Sequence, residues 1–367
     1  MVKVSSPGRI NFIGEHVDYN DGFVLPAAID KCIYMTLKEN GHENRCTIQS
    51  KGFNSILVVD LENMEKGTEG WHQYILGVII EIQKLTPGLR GFDCMMESKV
   101  PVGSGVSSSA ALECGLAFGL NALFGLGLDK WQLIKIGQMA EHNFVGTKCG
   151  IMDQFASVMG KDGYTMLLDC RTLDFEYIPA KVAPYQLLLL NTNVAHNLAT
   201  GEYNVRRAQC EEGLELLAKC HSIEKSFREV TPKMLEESRN VLGPVIHSRC
   251  SYVVEEIQRV LKAVAALRKD DHVLLGQLMY QTHQGLSEKY EVSCPELDFL
   301  VELSKREDQI LGARMMGGGF GGCTLNLIHE DAVHSFVKKA ATSYKDKFGI
   351  ELSHFITRPS QGTTLLN

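Results

Sequence analysis

Short stretches in which apolar and polar positions alternate dominate the first hundred residues of the chain. This alternation, together with the β-branched content, predicts strands over residues 2–6, 33–37, 46–50, 56–60 and 92–98. Residues 107–124 are instead apolar almost all round, which is typical of a buried helix, and Gly125 is placed to end it. The N-terminal third is therefore predicted to combine several strands with a buried helix.

Helical periodicity dominates most of the remaining chain. Asp129, with Gln132 three residues later, predicts a capping box that opens a helix running past Glu141. Apolar spacing predicts further helices in 211–219, 252–268, 272–290 and 333–348, and strands at 323–328 and 350–357 flank the last of them. Because strands and helices mix without a regular βαβ repeat, the predicted fold class is α+β, with a domain boundary near 170–185.

Composition and charge exclude several classes of function. The chain has 367 residues, of which 44% are hydrophobic and 22% charged, so disordered and low-complexity classes are excluded. A net charge of −7 offers no basic field for nucleic acid, and no apolar run is long enough to span a membrane. The first residues lack the pattern of a signal peptide. Eleven cysteines without a CxxC pair indicate reduced thiols, so we expect a cytoplasmic enzyme.

A loop rich in glycine and serine precedes the predicted buried helix, with the sequence PVGSGVSSSAA at 101–111. Its glycines permit close backbone approach, and its serine hydroxyls lie beside the free amides of a helix N-terminus, which predicts a phosphate site. No GxxxxGK[ST] motif occurs, and Ser108 replaces the third glycine of a dinucleotide fingerprint. An ordinary turn followed by a serine N-cap remains the alternative.

Two further clusters carry candidate chemistry. The sequence GGGFGG at 317–322 indicates backbone strain or close approach to a ligand, although a plain glycine hinge remains open, and Phe320 is expected to pack this loop down. At the start, GRINFIGEHVDYN at 8–20 interleaves charged and apolar residues. This pattern predicts a polar lining anchored on the core and suited to sugar hydroxyls, with a surface salt-bridge cluster as the alternative.

Two acidic residues lie in otherwise apolar surroundings. Glu141 comes late on its predicted helix, and Asp153 lies between Met152 and Phe155. Burial of a carboxylate is costly unless the group has a partner or a task. Both acids are therefore candidate functional residues.

Taken together, the three loops resemble those of the GHMP small-molecule kinases and, within them, the galactokinase family. The sugar signature is similar to residues 8–26, the ATP loop to 101–110 and the third family motif to 316–322, and the resemblance extends through 149–155 and 203–207. It implies a ribosomal-protein-like N-terminal domain (1–175) and a ferredoxin-like C-terminal domain (176–367), with the active site in the cleft between them. Val106 departs from the family, which usually has Leu or Met there.

The resemblance also implies a role for each matching residue. Asp153 would take the proton of the anomeric hydroxyl, with Arg9 as its partner. Residues matching the galactose-binding positions are Glu15, His16, Asp18, Gly150 and Tyr203. Residues matching the magnesium ligands are Ser109 and Glu141. Residues matching the ATP site are Gly103, Gly105, Ser107 and Ser108, with Trp71 and Tyr74 beside the adenine unless this aromatic pair belongs to the core.

The activity implied by the resemblance is phosphorylation of galactose by ATP at the anomeric hydroxyl, the first step of galactose breakdown. We expect a monomer that binds galactose, ATP and Mg²⁺ but neither nucleic acid nor membrane. An N-acetylgalactosamine kinase is the nearest alternative, although residues 20–23 keep the galactose-type pattern. An isoprenoid-pathway kinase would not need the polar residues 18–20. A non-catalytic galactose sensor would lose part of the ATP loop, whereas Ser109 and Ala110 are intact here.

Overall fold

The computed structural model describes residues 1–52, 55–64, 70–101, 103–195 and 199–366, so Val102 of the predicted phosphate loop lies outside the described residues. The strands are β1 (Val2–Asn11), β2 (Phe23–Val24), β3 (Pro26–Glu39), β4 (Arg45–Lys51), β5 (Ile56–Asp60), β6 (Phe92–Ser98), β7 (Tyr164–Asp169), β8 (Phe175–Pro179), β9 (Tyr185–Ala195), β10 (Ile310–Met315), β11 (Gly321–His329), β12 (Ser353–Thr357) and β13 (Thr364–Leu366). The helices are α1 (Gly70–Leu85), α2 (Ser108–Phe124), α3 (Lys130–Ala140), α4 (Met152–Met159), α5 (Ala199–His221), α6 (Pro232–Glu237), α7 (Arg239–Arg268), α8 (His272–Gln284), α9 (Pro295–Ser304) and α10 (Val333–Phe348).

Five N-terminal strands and β13 form one six-stranded sheet in the order β13-β1-β3-β6-β4-β5. Its pairs are antiparallel except β4 with β6. Helices α1, α2 and α3 pack together, and α2 lies against β1 and β3. The five strands predicted from the alternation of residues 2–98 are confirmed, as are the buried helix and the α+β class.

A second, antiparallel sheet in the order β10-β11-β9-β12 forms in the C-terminal half. Leu187 and Leu189 on β9 face one hydrophobic core, whereas Leu188 and Leu190 face another, and all four are at most 1% exposed. Burial on both faces explains why this strand is continuously apolar. Helices α8 and α9 pack on β10, and α10 packs on α9, while β2, β7 and β8 form a separate three-stranded sheet.

Local signals account for the ends of several helices. Asp129 accepts a hydrogen bond from the backbone of Gln132, whose side chain accepts one from the backbone of Asp129, so the predicted capping box is confirmed. Gly125 ends α2 in the left-handed conformation, as predicted, and Gly349 ends α10 in the same way. After α3 the chain continues into a π-helical turn, Glu141–Val145.

The domain division at residues 175 and 176 stays a prediction. Strand β8 spans that position, and β13, at the end of the chain, pairs with β1 of the N-terminal sheet. Within the described residues, no helix combines the length and the apolar character needed to cross a bilayer.

Candidate active site

All nine residues predicted for catalysis, sugar binding and magnesium line one cavity of about 220 Å³. They are Arg9, Glu15, His16, Asp18, Ser109, Glu141, Gly150, Asp153 and Tyr203. The glycines at 317–319 form a further part of the wall. Residues from both halves of the chain therefore meet at one site.

The pair of Arg9 and Asp153 forms the centre of this cavity. Two guanidinium nitrogens of Arg9 donate to the two carboxylate oxygens of Asp153 at 2.8 and 2.9 Å, and a third donates to the Gly105 carbonyl at 2.6 Å. A register shift of β1 between Pro7 and Arg9 lies at this point, as is common for strands that carry site residues. Because Arg9 is 4% exposed, its fork is fixed before any ligand arrives.

Ser107 has a different role from the one its position suggests. Its backbone is left-handed (φ 57°), and its hydroxyl makes no capping bond to α2. Instead the hydroxyl donates to Asp153 Oδ2. The alternative of a serine N-cap is therefore wrong for Ser107, and Asp153 accepts hydrogen bonds from Arg9 and Ser107 together.

Glu15 is a buried carboxylate held by several donors. Its Oε1 accepts from Arg314 at 2.8 Å and from the Gly317 amide at 2.7 Å, and its Oε2 accepts from Asn11. Burial raises the pKa of Glu15, but Arg314, Arg9 and these hydrogen bonds outweigh it and hold the pKa below its ordinary value. Glu15 therefore favours its ionised form, and its bond to the Gly317 amide ties the segment 8–20 to the GGGFGG loop.

Arg314, the partner of Glu15, was missed by the sequence analysis. It is fully buried on β10 and also donates to the carbonyls of Asn11, Phe12 and Met315. A signal was available, since a charged residue inside the apolar strand before GGGFGG is as costly to bury as Asp153. Arg314 links β10 to β1 directly behind the cavity.

Replacement of Arg314 by Met should lower the free energy of unfolding by about 3–5 kcal/mol, because Glu15 would lose its main partner while still buried. Urea denaturation of both proteins measures this difference. Arg239→Met is the matched control, since Arg239 pairs with Glu236 on the surface, and it should change stability little. Equal effects of the two substitutions would contradict a structural role for the buried pair.

Asp18 and Gly150 form a tightly packed part of the cavity wall. A Cβ atom on Gly150 would lie 1.9 Å from the Asp18 carboxylate, so only glycine fits at this position. Burial, reinforced by the charge of Asp153, raises the pKa of Asp18 to about 7. A carboxyl group near its pKa at neutral pH can accept from or donate to a ligand hydroxyl.

Helix α5 supplies Tyr203 to the cavity and fixes the loop opposite. The Asn204 side chain donates to the Gly146 carbonyl at 3.0 Å and accepts from the Lys148 amide at 3.1 Å. Arg207 donates to the Lys148 carbonyl at 2.9 Å. The loop before Gly150 is therefore held by the same helix that carries Tyr203.

A second cavity of about 510 Å³ adjoins the first and is more apolar. Trp71 and Tyr74 on α1 line it together with Gly103, Ser108 and Ser109. Both aromatic residues also pack against the hydrophobic core that contains Leu187 and Leu189, so the alternative that this pair belongs to the core is confirmed as well. Since Ser109 lines both cavities, the α2 N-terminus lies between them.

Of the six residues predicted for ATP, two do not line the second cavity. Gly105 instead accepts from Arg9, and Ser107 donates to Asp153. The third loop packs against the same segment, because a Cβ on Gly317 would lie 2.9 Å from the Gly105 carbonyl oxygen. Phe320 anchors that loop, as expected, by packing on a further hydrophobic core that contains Tyr290 and Val292 and by donating its amide hydrogen to the Val292 carbonyl.

Glu141 and Ser109 form the candidate metal pair. Burial raises the pKa of Glu141 to about 7, with Asp153 adding to the shift and a hydrogen bond to Ser109 opposing it. In the described part of the chain no three His, Cys, Asp or Glu side chains cluster to hold a metal. The pair nevertheless fits Mg²⁺, which is commonly bound by one or two hard oxygen ligands together with phosphates and water.

Family profiles match both halves of the chain. The profile of the GHMP kinases N terminal domain matches residues 73–161, and that of the GHMP kinases C terminal domain matches 263–346. The galactokinase galactose-binding signature matches residues 2–39. The galactokinase of Thermosipho africanus is 41% identical over 363 residues, which cover 99% of each chain. The chain belongs to the galactokinase family.

Other members of the galactokinase family agree with this assignment, and a more distant structure shares the fold. The galactokinase of Thermotoga maritima is 42% identical over 98% of this chain and 99% of its own. The structure of Lactococcus lactis galactokinase complexed with galactose superposes with a TM-score of 0.95 at 32% identity, covering 100% of this chain and 95% of its own. Methanococcus jannaschii mevalonate kinase shares only the fold, with a TM-score of 0.69 at 18% identity and 98% of each chain covered.

Proposed function

We propose that the 220 Å³ cavity catalyses transfer of the γ-phosphoryl group of ATP to the anomeric hydroxyl of D-galactose, giving galactose 1-phosphate. ATP-dependent phosphorylation of galactose is the activity of the galactokinase family, to which the chain belongs. The observation that carries the proposal is the Arg9–Asp153 pair, which lies in a cavity lined by hydroxyl-binding groups and adjoins an aromatic-lined cavity at Ser109. The two cavities suit a sugar and a nucleotide.

The proposed role of Asp153 is that of general base. A carboxylate with one oxygen directed at the sugar hydroxyl can accept its proton as the phosphoryl group arrives. Arg9 keeps Asp153 in place through its two parallel hydrogen bonds and adds positive charge close to the transferred group. Most of the rate acceleration in phosphoryl transfer comes from such positioning and charge stabilisation.

The proposed nucleotide site extends from α1 to the start of α2. Trp71 and Tyr74 would contact the adenine, while Gly103 and Ser108 would lie beside the phosphates. The N-terminus of α2, a 17-residue helix, directs its free amides and its positive dipole end to that point. The triphosphate would therefore lead from the second cavity to the first past Ser109.

Ser109 and Glu141 would hold the magnesium ion of MgATP. When bound, the ion would neutralise phosphate charge and keep several of its own waters. Replacement of Glu141 by Ala should raise the Mg²⁺ concentration needed for half-maximal rate while leaving galactose affinity largely intact. Titration of the initial rate with Mg²⁺, beside calorimetry with galactose, tests this. An unchanged Mg²⁺ dependence would remove Glu141 from the metal site.

The direct test of the proposed function is ADP release in the presence of single free sugars. Galactose should support turnover, and phosphorus NMR should locate the new phosphate on the anomeric carbon. N-acetylgalactosamine in the same panel tests the nearest alternative, and ADP release without any sugar-phosphate product would contradict both. The non-catalytic sensor would bind galactose in calorimetry without releasing ADP.

We further propose that the chain acts in the cytoplasm as a monomer, without a nucleic-acid or membrane partner. Its eleven cysteines are free thiols, which suits a reducing compartment where ATP is available. The net charge of −7 does not favour binding to nucleic acid. Light scattering after size-exclusion chromatography tests the oligomeric state, and a mass near twice 40.7 kDa would contradict it.

A further inference from the structure

A chain of hydrogen bonds leads from the protein interior to the sugar cavity. Cys210 Sγ lies 3.1 Å from the Tyr290 hydroxyl, which lies 2.9 Å from the Tyr19 hydroxyl. Tyr19 in turn lies 2.7 Å from His16 Nδ1, and His16 Nε2 lies 3.2 Å from the Gly318 carbonyl oxygen. Of these residues, His16 and Gly318 line the cavity, whereas Cys210 and Tyr290 are fully buried behind it.

At the cavity end of these hydrogen bonds, the contact with Gly318 shows which nitrogen of His16 carries the proton. A carbonyl oxygen can only accept, so the contact with Gly318 requires a proton on Nε2. His16 is 4% exposed, and burial lowers its pKa to about 4 against the opposing charge of Glu15. The ring is therefore neutral at pH 7, and its Nδ1 must accept a hydrogen bond from Tyr19.

The direction of the remaining bonds follows step by step. Tyr19 has one hydroxyl proton and uses it toward His16, so the contact between the two tyrosines requires Tyr290 to donate to Tyr19. Tyr290 has then also used its proton, so Cys210 donates its thiol proton to the Tyr290 oxygen. Each donor thus points toward the cavity.

We infer that Tyr19 and Tyr290 are positioning residues that hold His16 as its Nε2–H tautomer, so that one fixed donor faces Gly318 and the sugar pocket. The inference rests on the proposed function, in which an oxygen of galactose shares this donor with the Gly318 carbonyl. The His16 ring also contacts Tyr203, since their ring centroids are 5.1 Å apart. Loss of the Tyr19 hydroxyl would leave the Gly318 carbonyl as the remaining partner that favours Nε2–H, so that part of the population would carry the proton on Nδ1 and present an acceptor to the cavity.

The tautomer of His16 can be measured directly in the full chain. Long-range proton–nitrogen correlation on protein with ¹⁵N-labelled histidine distinguishes the two neutral tautomers and the charged ring. His16→Gln identifies the signal by its disappearance. The inference expects the Nε2–H form at pH 7 in the wild-type protein. A ring protonated at Nδ1, alone or together with Nε2, would overturn it.

Removal of single hydroxyls tests the positioning role. Tyr19→Phe should raise the KM for galactose roughly tenfold, change kcat and the KM for ATP much less, and give a mixture of His16 tautomers. Tyr290→Phe should have a smaller effect in the same direction, since Tyr19 can still donate to His16. Tyr344→Phe is the matched control, because that buried hydroxyl donates to Thr192 away from the cavity, and it should change neither parameter.

The two readouts separate the inference from the proposed function. If the wild-type chain releases no ADP with galactose, the proposed function fails, whatever the tautomer. If it is active but Tyr19→Phe leaves both the galactose KM and the His16 signal unchanged, the positioning role fails. Should circular dichroism show that Tyr19→Phe does not fold, the wild-type tautomer and the smaller KM effect of Tyr290→Phe decide the matter.

Discussion

Replacement of Asp153 by Asn should lower kcat for galactose phosphorylation by roughly 10²–10⁴, while the affinity for galactose changes far less. A positioned general base contributes about this factor, and an amide of the same shape cannot take the proton. With its oxygen at the Oδ2 position the Asn side chain still accepts from Arg9 Nη2 and Ser107, and only the bond from Arg9 Nε is lost, so the cavity should keep its form. Steady-state kinetics and calorimetry with galactose measure the two quantities separately.

The controls for this prediction address charge and geometry. Asp162→Asn removes an exposed carboxylate just beyond α4 and should leave kcat unchanged. Arg9→Lys keeps the positive charge but loses the planar fork that binds both Asp153 oxygens, so it should also lower kcat. If Asp153→Asn stays within a few-fold of the wild type, Asp153 is not the base, and catalysis would depend on Arg9, magnesium and alignment.

The strands and helices were predictable because their signals are local. The capping box of Asp129 and Gln132 spans four residues, and the alternation of β4 and β5 requires only the buried and exposed faces of one sheet. Each of these patterns can be recognised without knowing what the segment packs against.

The candidate site was predictable for a different reason. Arg9 and Asp153 are 144 residues apart, and no periodicity relates them. The cost of burying a charged group marked Asp153 as a candidate, and the resemblance to a known family connected it with Arg9. The same cost applied to Arg314, which is fully buried, but it was missed because it lies outside the motifs at 8–26, 101–110 and 316–322.

The hydrogen bonds that fix the site could not be predicted in this way. Ser107 looked like a helix cap, but the left-handed backbone that turns its hydroxyl to Asp153 depends on packing of the two glycine loops. The chain from Cys210 to His16 joins residues from three distant segments. Hydrogen bonds between residues so far apart in sequence depend on tertiary packing. A hydrophobic pattern indicates only which positions are buried.

Galactose should be preferred over glucose by roughly 10²–10⁵ in kcat/KM. The two sugars differ only in the direction of the 4-hydroxyl, which is axial in galactose, and we propose that Asp18 and Tyr203 meet it. Both residues are half-buried and line the cavity. An epimer that misplaces the hydroxyl leaves such groups without partners, which a site built for hydrogen bonding rejects strongly.

The mechanism of this selectivity is tested with variants as well as with the two sugars. Tyr203→Phe should reduce kcat/KM for galactose much more than for glucose, so that the ratio falls, because only galactose uses the hydroxyl. Tyr177→Phe, whose hydroxyl donates to the Met159 carbonyl outside the cavity, should leave the ratio unchanged. Equal turnover of the two sugars by the wild type would contradict the prediction. A high ratio that survives Tyr203→Phe would instead assign the discrimination to Asp18, whose carboxyl is already held in place by the close packing of Gly150.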